Sequence, residues 1–351
     1  PVIAASDYVH ALPDMIARWV PGGLLSLGTD GFGRSDNRPE LRRFFGPIPP
    51  VLSIFQEWSA QGLLDGGDPE HLNNLLAPVL VSLPQIAGIS IGDELGNGFL
   101  IARDPANGGF VNQIVTPETA GKTSRWLQWK ELDGPRDERI EEDRYDPRYR
   151  PWYLNLENPL ETDLGFSDVY WTDPYPFFNS DAPGITASIK LHSPSGIVRV
   201  IAIDILLENV TTLTSMLEVS PSGFIAITTS DIRTIGLPKH PKFDTPEARR
   251  DGFLKSPRDL GIPLFTEASI QLRRQFQIPD NAVIGVDIDL PPELPPFRWE
   301  FKGAAWWSYV RHCNIEKGPR FLIGVTVPEN DFLGELRAGR KYYYGFAGLS
   351  L

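Results

Sequence analysis

Between Tyr145 and Tyr153 the chain reads Tyr-Asp-Pro-Arg-Tyr-Arg-Pro-Trp-Tyr, which places four aromatics and two arginines in nine residues. A surface loop has little use for that density. A guanidinium offers a two-pronged fork to a carboxylate, and an indole offers an apolar wall with one N–H donor. On an extended segment Arg150 and Trp152, two positions apart, share a side. Downstream, Asp173 within Trp171-Thr172-Asp173-Pro174-Tyr175 and Asp204 within Ile201-Ala202-Ile203-Asp204-Ile205 supply anions. Asp204 interrupts an apolar strand, where an unpaired charge costs several kcal/mol. A cation with an aromatic wall at one end and two carboxylates at the other suit a pocket for a zwitterion. The alternative on these residues is an internal Arg–Asp ion pair braced by aromatics.

Other chemistry is poorly represented. No Walker A loop or GxGxxG is present, and Gly28-Thr29-Asp30-Gly31-Phe32-Gly33 misses the dinucleotide fingerprint in spacing and context. Asp93-Glu94 and Glu141-Glu142-Asp143 are adjacent carboxylates, and neighbours on a strand or helix point apart. The first pair reads as a hairpin tip and the second as a solvated charged stretch. His10, His71, His192, His240 and His312 show no metal-ligand spacing, and the single Cys313 rules out a Cys-ligated zinc site. Neither a metal nor a cofactor is expected.

The elements that position these groups follow from composition and pattern. The 351 residues are 41% hydrophobic and 22% charged, enough for two or three cored domains, and 33 Pro with 32 Gly disfavour a helical bundle. The net charge of −12 argues against a nucleic-acid partner. Residues 1–45 hold five acids and five bases, so all of the excess lies in 46–351. A helix over 11–20 and a strand at Leu24–Leu27 are predicted in the first stretch, and Gly46-Pro47-Ile48-Pro49-Pro50 reads as a linker. Helices follow at 51–64 and 71–83, the second opened by Asp68 and Pro69. Two apolar runs around Gly96-Asn97-Gly98 predict a hairpin. Further strands are expected at 110–115, 126–129, 185–191 and 197–206, then a helix over 207–217. A second, weaker copy has a hairpin at 224–228 and 234–237, helices at 246–253 and 268–276, and strands at 282–288, 297–301 and 321–327. The expected fold class is therefore α+β in tandem units with antiparallel sheets. The aromatic, apolar end at 342–351 follows Arg337, Arg340 and Lys341. It reads either as the entrance to a membrane helix or as a C-terminal strand or tail.

With these residues in view, the chain from about 46 to 340 resembles the double Cache sensor domain of bacterial membrane receptors. The resemblance is carried by Leu83-Pro84-Gln85-Ile86, Gly92-Asp93-Glu94-Leu95-Gly96-Asn97, Asp146-Pro147-Arg148-Tyr149-Arg150-Pro151-Trp152-Tyr153, Trp171-Thr172-Asp173-Pro174-Tyr175 and Val200-Ile201-Ala202-Ile203-Asp204-Ile205. It implies a long N-terminal helix followed by two PAS-like modules, membrane-distal over 86–218 and membrane-proximal over 219–340, with 46–85 as linker and N-terminal helices. It also implies a periplasmic location, flanking membrane helices, a homodimer in the full receptor, and a small-molecule ligand in the distal module. In amino-acid-binding members an Arg-x-Trp pair holds the ligand carboxylate, and an aspartate pair with a tyrosine holds its ammonium. Carried over, the ligand-binding set is Tyr145, Arg150, Trp152, Trp171, Asp173 and Asp204. Trp171 stands where those members carry Tyr, which opens the pocket to an amine or another small carboxylate.

Residues 1–45 resemble instead the C-terminal domain of the homodimeric pyruvate dehydrogenase decarboxylating subunit, through Ala4-Ala5-Ser6-Asp7-Tyr8, Ile16-Ala17-Arg18-Trp19-Val20-Pro21-Gly22 and Leu27-Gly28-Thr29-Asp30-Gly31-Phe32-Gly33-Arg34-Ser35-Asp36. No GDG…NN thiamine-diphosphate motif accompanies them, so the fragment is not expected to be an enzyme, and a fused origin accounts for the junction near Gly46. The rival readings are a relative of that subunit and an extracellular sugar- or peptide-binding module using Trp299, Trp306 and Trp307.

Overall fold

The computed structural model describes residues 2–6, 24–28, 43–65, 68–104, 108–130, 135, 137–157, 169–217, 219–280, 282–284, 287–288, 290–291, 294–314 and 320–331. The helix expected over 11–20 and the segment 341–351 lie outside them. Near the N-terminus β1 (Val2–Ser6) pairs in parallel with β2 (Leu24–Gly28). The described residues of 42–209 then pack as one compact unit and those from 210 onward as a second.

Among the described residues the first unit opens with two helices, α1 (Ile48–Ala60) and α2 (Pro69–Ser82). The residues between them include Gly62, whose φ of +74° leaves helical geometry. Asp68 then caps α2 by accepting from Glu70 N, with Pro69 in the first turn. The expected linker prolines Pro49 and Pro50 fall inside the first turn of α1. Proline is tolerated there because the first four N–H groups of a helix have no intrahelical partner.

The sheet of this unit is antiparallel and runs β7–β6–β5–β4–β3–β11–β10–β8, from β3 (Gly88–Asp93), β4 (Gly98–Arg103), β5 (Phe110–Val115), β6 (Ser124–Trp129), β7 (Asp137–Glu141), β8 (Tyr170–Trp171), β10 (Pro183–His192) and β11 (Val198–Leu206). The short β9 (Tyr175–Pro176) also pairs with β10. Alternation decides the two faces. Ile89, Ile91, Ile185, Ile189, Ile201 and Ile203 are buried on one side, where α1 and α2 contribute Ile48, Leu52, Phe55, Leu72, Leu76 and Leu80. The other face carries Gly92, Val200, Ala202, Asp204, Thr186 and Ser188. The stretch from Arg136 to Arg144, expected to be charged and solvated, contains the edge strand β7, every residue of which is exposed.

The second unit carries α4 (Pro246–Gly252) and α5 (Pro263–Gln275), after α3 (Leu207–Met216), within which the chain passes from the first unit to the second. Its sheet is β13–β12–β16–β15–β14, with β12 (Phe224–Thr228), β13 (Thr234–Gly236), β14 (Phe297–Phe301), β15 (Ala304–Asn314) and β16 (Arg320–Pro328). The strand β15, which lies between β16 and β14, was not expected. Its residues Trp306 and Trp307 pair with Trp299 and Arg298 of β14. Of the 282–288 strand, only a bridge between Ile284 and Ile288 forms among the described residues. Trp299 and Trp307 are buried, and Trp306 stacks on Trp299 with centroids 6.2 Å apart. These tryptophans build a core rather than an open sugar-binding face.

Candidate functional site

The Tyr145–Tyr153 stretch is not extended. Asp146 accepts from Arg148 N, which starts a 3-10 turn over Pro147–Tyr149, and a helix follows over Pro151–Glu157. Both prolines sit where a helical turn begins, matching their fixed φ and missing N–H. Arg150, between the two turns, stays extended, as does Asp146 before the first of them. Arg150 and Trp152 are therefore positioned by a turn and a helix start, not by strand periodicity. The same fold separates the two arginines chemically. Arg148 is tied to Asp146 by two bonds, Nε to Oδ1 at 3.0 Å and Nη2 to Oδ2 at 2.7 Å. Arg150 donates only one long bond, Nη2 to Pro176 O at 3.4 Å, which leaves most of its five donors without a partner among the described residues. Its guanidinium carbon lies 5.7 Å from the Tyr175 ring centroid and 5.5 Å from that of Phe178.

The helix from Pro151 packs onto the sheet face that carries Asp204. Trp152 and Tyr153 are buried there with Leu156, Val200 and Ala202, and Tyr170 and Tyr175 pack against them. Ser188 Oγ donates to Trp152 O at 3.0 Å. The Trp152 indole N–H has no acceptor among the described residues. Close approach is possible because β3 carries glycine at position 92. A Cβ there would lie 2.8 Å from Pro147 Cβ and 3.0 Å from Trp152 Cη2, inside normal contact.

Asp204 ends a relay. Its Oδ1 accepts from Thr186 Oγ1 at 2.7 Å, and Thr186 Oγ1 lies 2.7 Å from Tyr175 Oη. Thr186 has one hydroxyl proton and gives it to Asp204, so the Tyr175 hydroxyl donates to Thr186. Oδ2 of Asp204 has no partner among the described residues. Burial pushes the Asp204 carboxyl up to about 6, against the opposing pull of the Thr186 hydroxyl and the Arg150 charge. Burial also drives the Tyr145 and Tyr175 hydroxyls well above their ordinary range, and the Asp204 charge adds to both. Both tyrosines are thus neutral donors at neutral pH. Tyr145, Arg150, Trp152 and Asp204 therefore lie in one cluster.

Trp171 and Asp173 are not brought to it. Trp171 pairs with Ala187, and Tyr170 pairs with Ser188. Residues opposite one another in an antiparallel pair point to the same face. Tyr170 therefore faces the Asp204 side, and Trp171 faces the helix side, where its ring meets Phe45 edge-on at 5.8 Å. Thr172 returns to the Asp204 side, its Oγ1 accepting from Thr186 N at 2.9 Å. Asp173 is exposed. Thr186, Tyr170 and Tyr175 were missed from the sequence. The alternation around Asp204 signals them only once the pairing of the strands is known.

No protein-family model matches the chain. In sequence it is similar to pyruvate dehydrogenase E1 components, 45% identical over 71 residues to that of Mycobacterium tuberculosis and 58% identical over 45 residues to that of Cupriavidus necator. These matches cover 20% and 13% of this chain, and it spans less than a tenth of those relatives' length, 8% and 5%. Among solved structures it is similar to the ligand-binding domain of the Pseudomonas aeruginosa amino acid chemoreceptor PctB in complex with L-Gln, at 15% identity and a TM-score of 0.47, covering 95% of this chain and 98% of that one. It is also similar to the ligand-binding domain of the Pseudomonas fluorescens chemoreceptor CtaA in complex with L-serine, at 17% identity and a TM-score of 0.42, covering 85% and 99%. Both of these solved structures are ligand-binding domains of chemoreceptors. Among the described residues no helix is long and apolar enough to cross a membrane.

Proposed function

We propose that residues from about 46 onward are the ligand-binding sensor region of a bacterial transmembrane signalling receptor, that it lies on the periplasmic side of the inner membrane, and that the first unit binds a small amino acid, amine or carboxylate. The observation that carries this reading is the asymmetry of the cluster. Arg148 is neutralised by Asp146, whereas among the described residues most Arg150 donors and one Asp204 oxygen have no partner, on either side of an aromatic lining. Charges of opposite sign held near each other without a direct bond leave room for a ligand to bridge them. A carboxylate takes the Arg150 fork. An ammonium takes Asp204 Oδ2, with the Tyr145 and Tyr175 rings as its walls. In the full receptor, a homodimer with flanking membrane helices, binding favours one arrangement of the module over another, and a helix carries that bias toward an output domain. The short likeness to pyruvate dehydrogenase E1 components supports a joined fragment of that subunit, not its chemistry, because this chain lacks the GDG…NN motif.

Calorimetric titration with a panel of amino acids, amines and small carboxylates tests the reading. At least one compound is expected to bind at micromolar to millimolar affinity, and Arg150→Ala is expected to weaken a carboxylate-bearing hit by about 2 kcal/mol or more while barely changing the melting temperature. Unchanged affinity in Arg150→Ala overturns the site. Turnover of pyruvate with thiamine diphosphate overturns the sensor assignment.

A further inference from the structure

The second unit holds a cavity of about 50 Å³ between its sheet and α5. By this measure a water occupies roughly 10–15 Å³, so the space suits a molecule of about four non-hydrogen atoms. No charged side chain lines it, and its walls are mainly apolar, including Ala226, Leu322 and Ala268. A charged ligand is excluded by the cost of desolvating it.

Two further observations give the cavity a polarity and a purpose. Ser308 and Thr326, both buried and both in its wall, face one another across β15 and β16 with hydroxyl oxygens 2.9 Å apart. Trp299 Nε1 donates to Ser308 Oγ at 2.9 Å. The two hydroxyls own two protons, and one is spent on the bond between them. The other has no acceptor among the described residues, so one buried donor is left over. The second observation is Gly324 in β16, paired with Ala226 on one side and Val310 on the other. Its backbone does not call for glycine, and a Cβ there would meet nothing closer than 3.9 Å. A glycine inside a strand weakens it and often marks a place where a ligand comes close.

We propose that this cavity is a second ligand site, independent of the Arg150–Asp204 cluster, for a small uncharged carbonyl compound whose oxygen accepts the spare hydroxyl proton of the Ser308–Thr326 pair while its alkyl groups fill the space beside Gly324. Binding is non-covalent, and the size limit excludes the standard amino acids, whose charges the site rejects in any case.

The test is methyl NMR of the full chain, labelled at Ala and Leu and titrated with acetone. Saturable shifts are expected at Ala226, Ala268 and Leu322, with none at Ala187 or Ala202 in the first unit. Gly324→Ala fills the space with one methyl at ordinary contact distance. It is expected to keep the remaining spectrum and the melting temperature while weakening acetone binding at least tenfold. Shifts that grow linearly without saturating overturn the proposal, as does saturable binding that survives Gly324→Ala. Saturable binding of 2-methylpropene without binding of acetone also overturns it, since the site would then be an apolar void with no use for the hydroxyl pair.

Discussion

Acidifying the protein from pH 7.5 to pH 5 protonates one group of the candidate site and leaves the others as they were. Tyr145 and Tyr175 are neutral throughout because burial raises them. Asp204, pushed up to about 6 by burial, changes from mostly ionised to mostly protonated over that interval. A ligand ammonium needs the ionised form. Its apparent affinity is thus expected to fall about tenfold between pH 7.5 and pH 5, or about 1.4 kcal/mol, with the bend near pH 6. Stability moves the opposite way. The folded state holds the proton more tightly than the unfolded chain, whose carboxyl titrates near 3.8, so ionising Asp204 lowers stability as pH rises from about 4 to about 6. The cost above pH 6 reaches about 3 kcal/mol at most. Asp204→Asn keeps an oxygen for the Thr186 hydroxyl and carries no charge. It is expected to unfold at higher denaturant than the parent at pH 7.5, to differ little at pH 4, and to bind an amine or amino acid at least tenfold more weakly at pH 7.5. Titration calorimetry at four pH values with urea melts at the two extremes reads all of this. An affinity that is flat across pH 5–7.5, or a pH-dependent affinity that persists in Asp204→Asn, would refute the role given to this carboxylate.

Two packing predictions bear on how the site is held. Gly92→Ala forces a methyl to within 2.8 Å of Pro147 and 3.0 Å of Trp152, so urea melts should show a loss of about 1–3 kcal/mol with altered tryptophan fluorescence. Behind the sheet, Asn73 and Asn112 are buried and exchange reciprocal bonds of 2.9 and 2.8 Å. Asn112→Leu leaves the Asn73 amide unpaired and should cost about 1–3 kcal/mol, whereas the double Asn73→Leu, Asn112→Leu change should recover part of that loss in the same melts.

Much of the architecture was legible because local chemistry and tertiary packing agree. The Gly96-Asn97-Gly98 tip is a hairpin, and Asp93 is buried there to accept from Leu95 N, Asn97 N and Asn97 Nδ2, a structural use that explains the Asp93-Glu94 pair. Asp204 stood out because a carboxylate inside an apolar strand needs a reason. The failures share a cause as well. Reading Arg150 and Trp152 as an extended pair overlooked that Asp146 and two prolines start helical turns. The strand β15 was missed although Lys302 and Gly303, both at positive φ, turn the chain back from β14, because Lys-Gly is a weaker hairpin signal than the Asn-Gly pair between β3 and β4. Which residues of Tyr170–Asp173 face Asp204 depends on pairing with β10, a contact that sequence spacing does not contain.

That last dependence can be tested, because β8 is only two residues long and lies at the end of the sheet. A shift of one residue in the register of a strand exchanges its two faces. In the observed register Tyr170 and Thr172 face Asp204, while Trp171 packs on Phe45 and Asp173 is exposed. The resemblance to amino-acid sensors assigns the ligand contacts to Trp171 and Asp173 instead. The two arrangements make opposite demands on the same four residues. If the observed register is the one that binds, Asp173→Ala changes ligand affinity less than twofold, and Tyr170→Ala, which strips an aromatic from the wall packed against Trp152, weakens it at least tenfold. A large loss in Asp173→Ala with little in Tyr170→Ala would mean that the bound state uses the other register. The ligand would then be selecting a strand position, and the edge of the sheet would be the element whose equilibrium binding shifts.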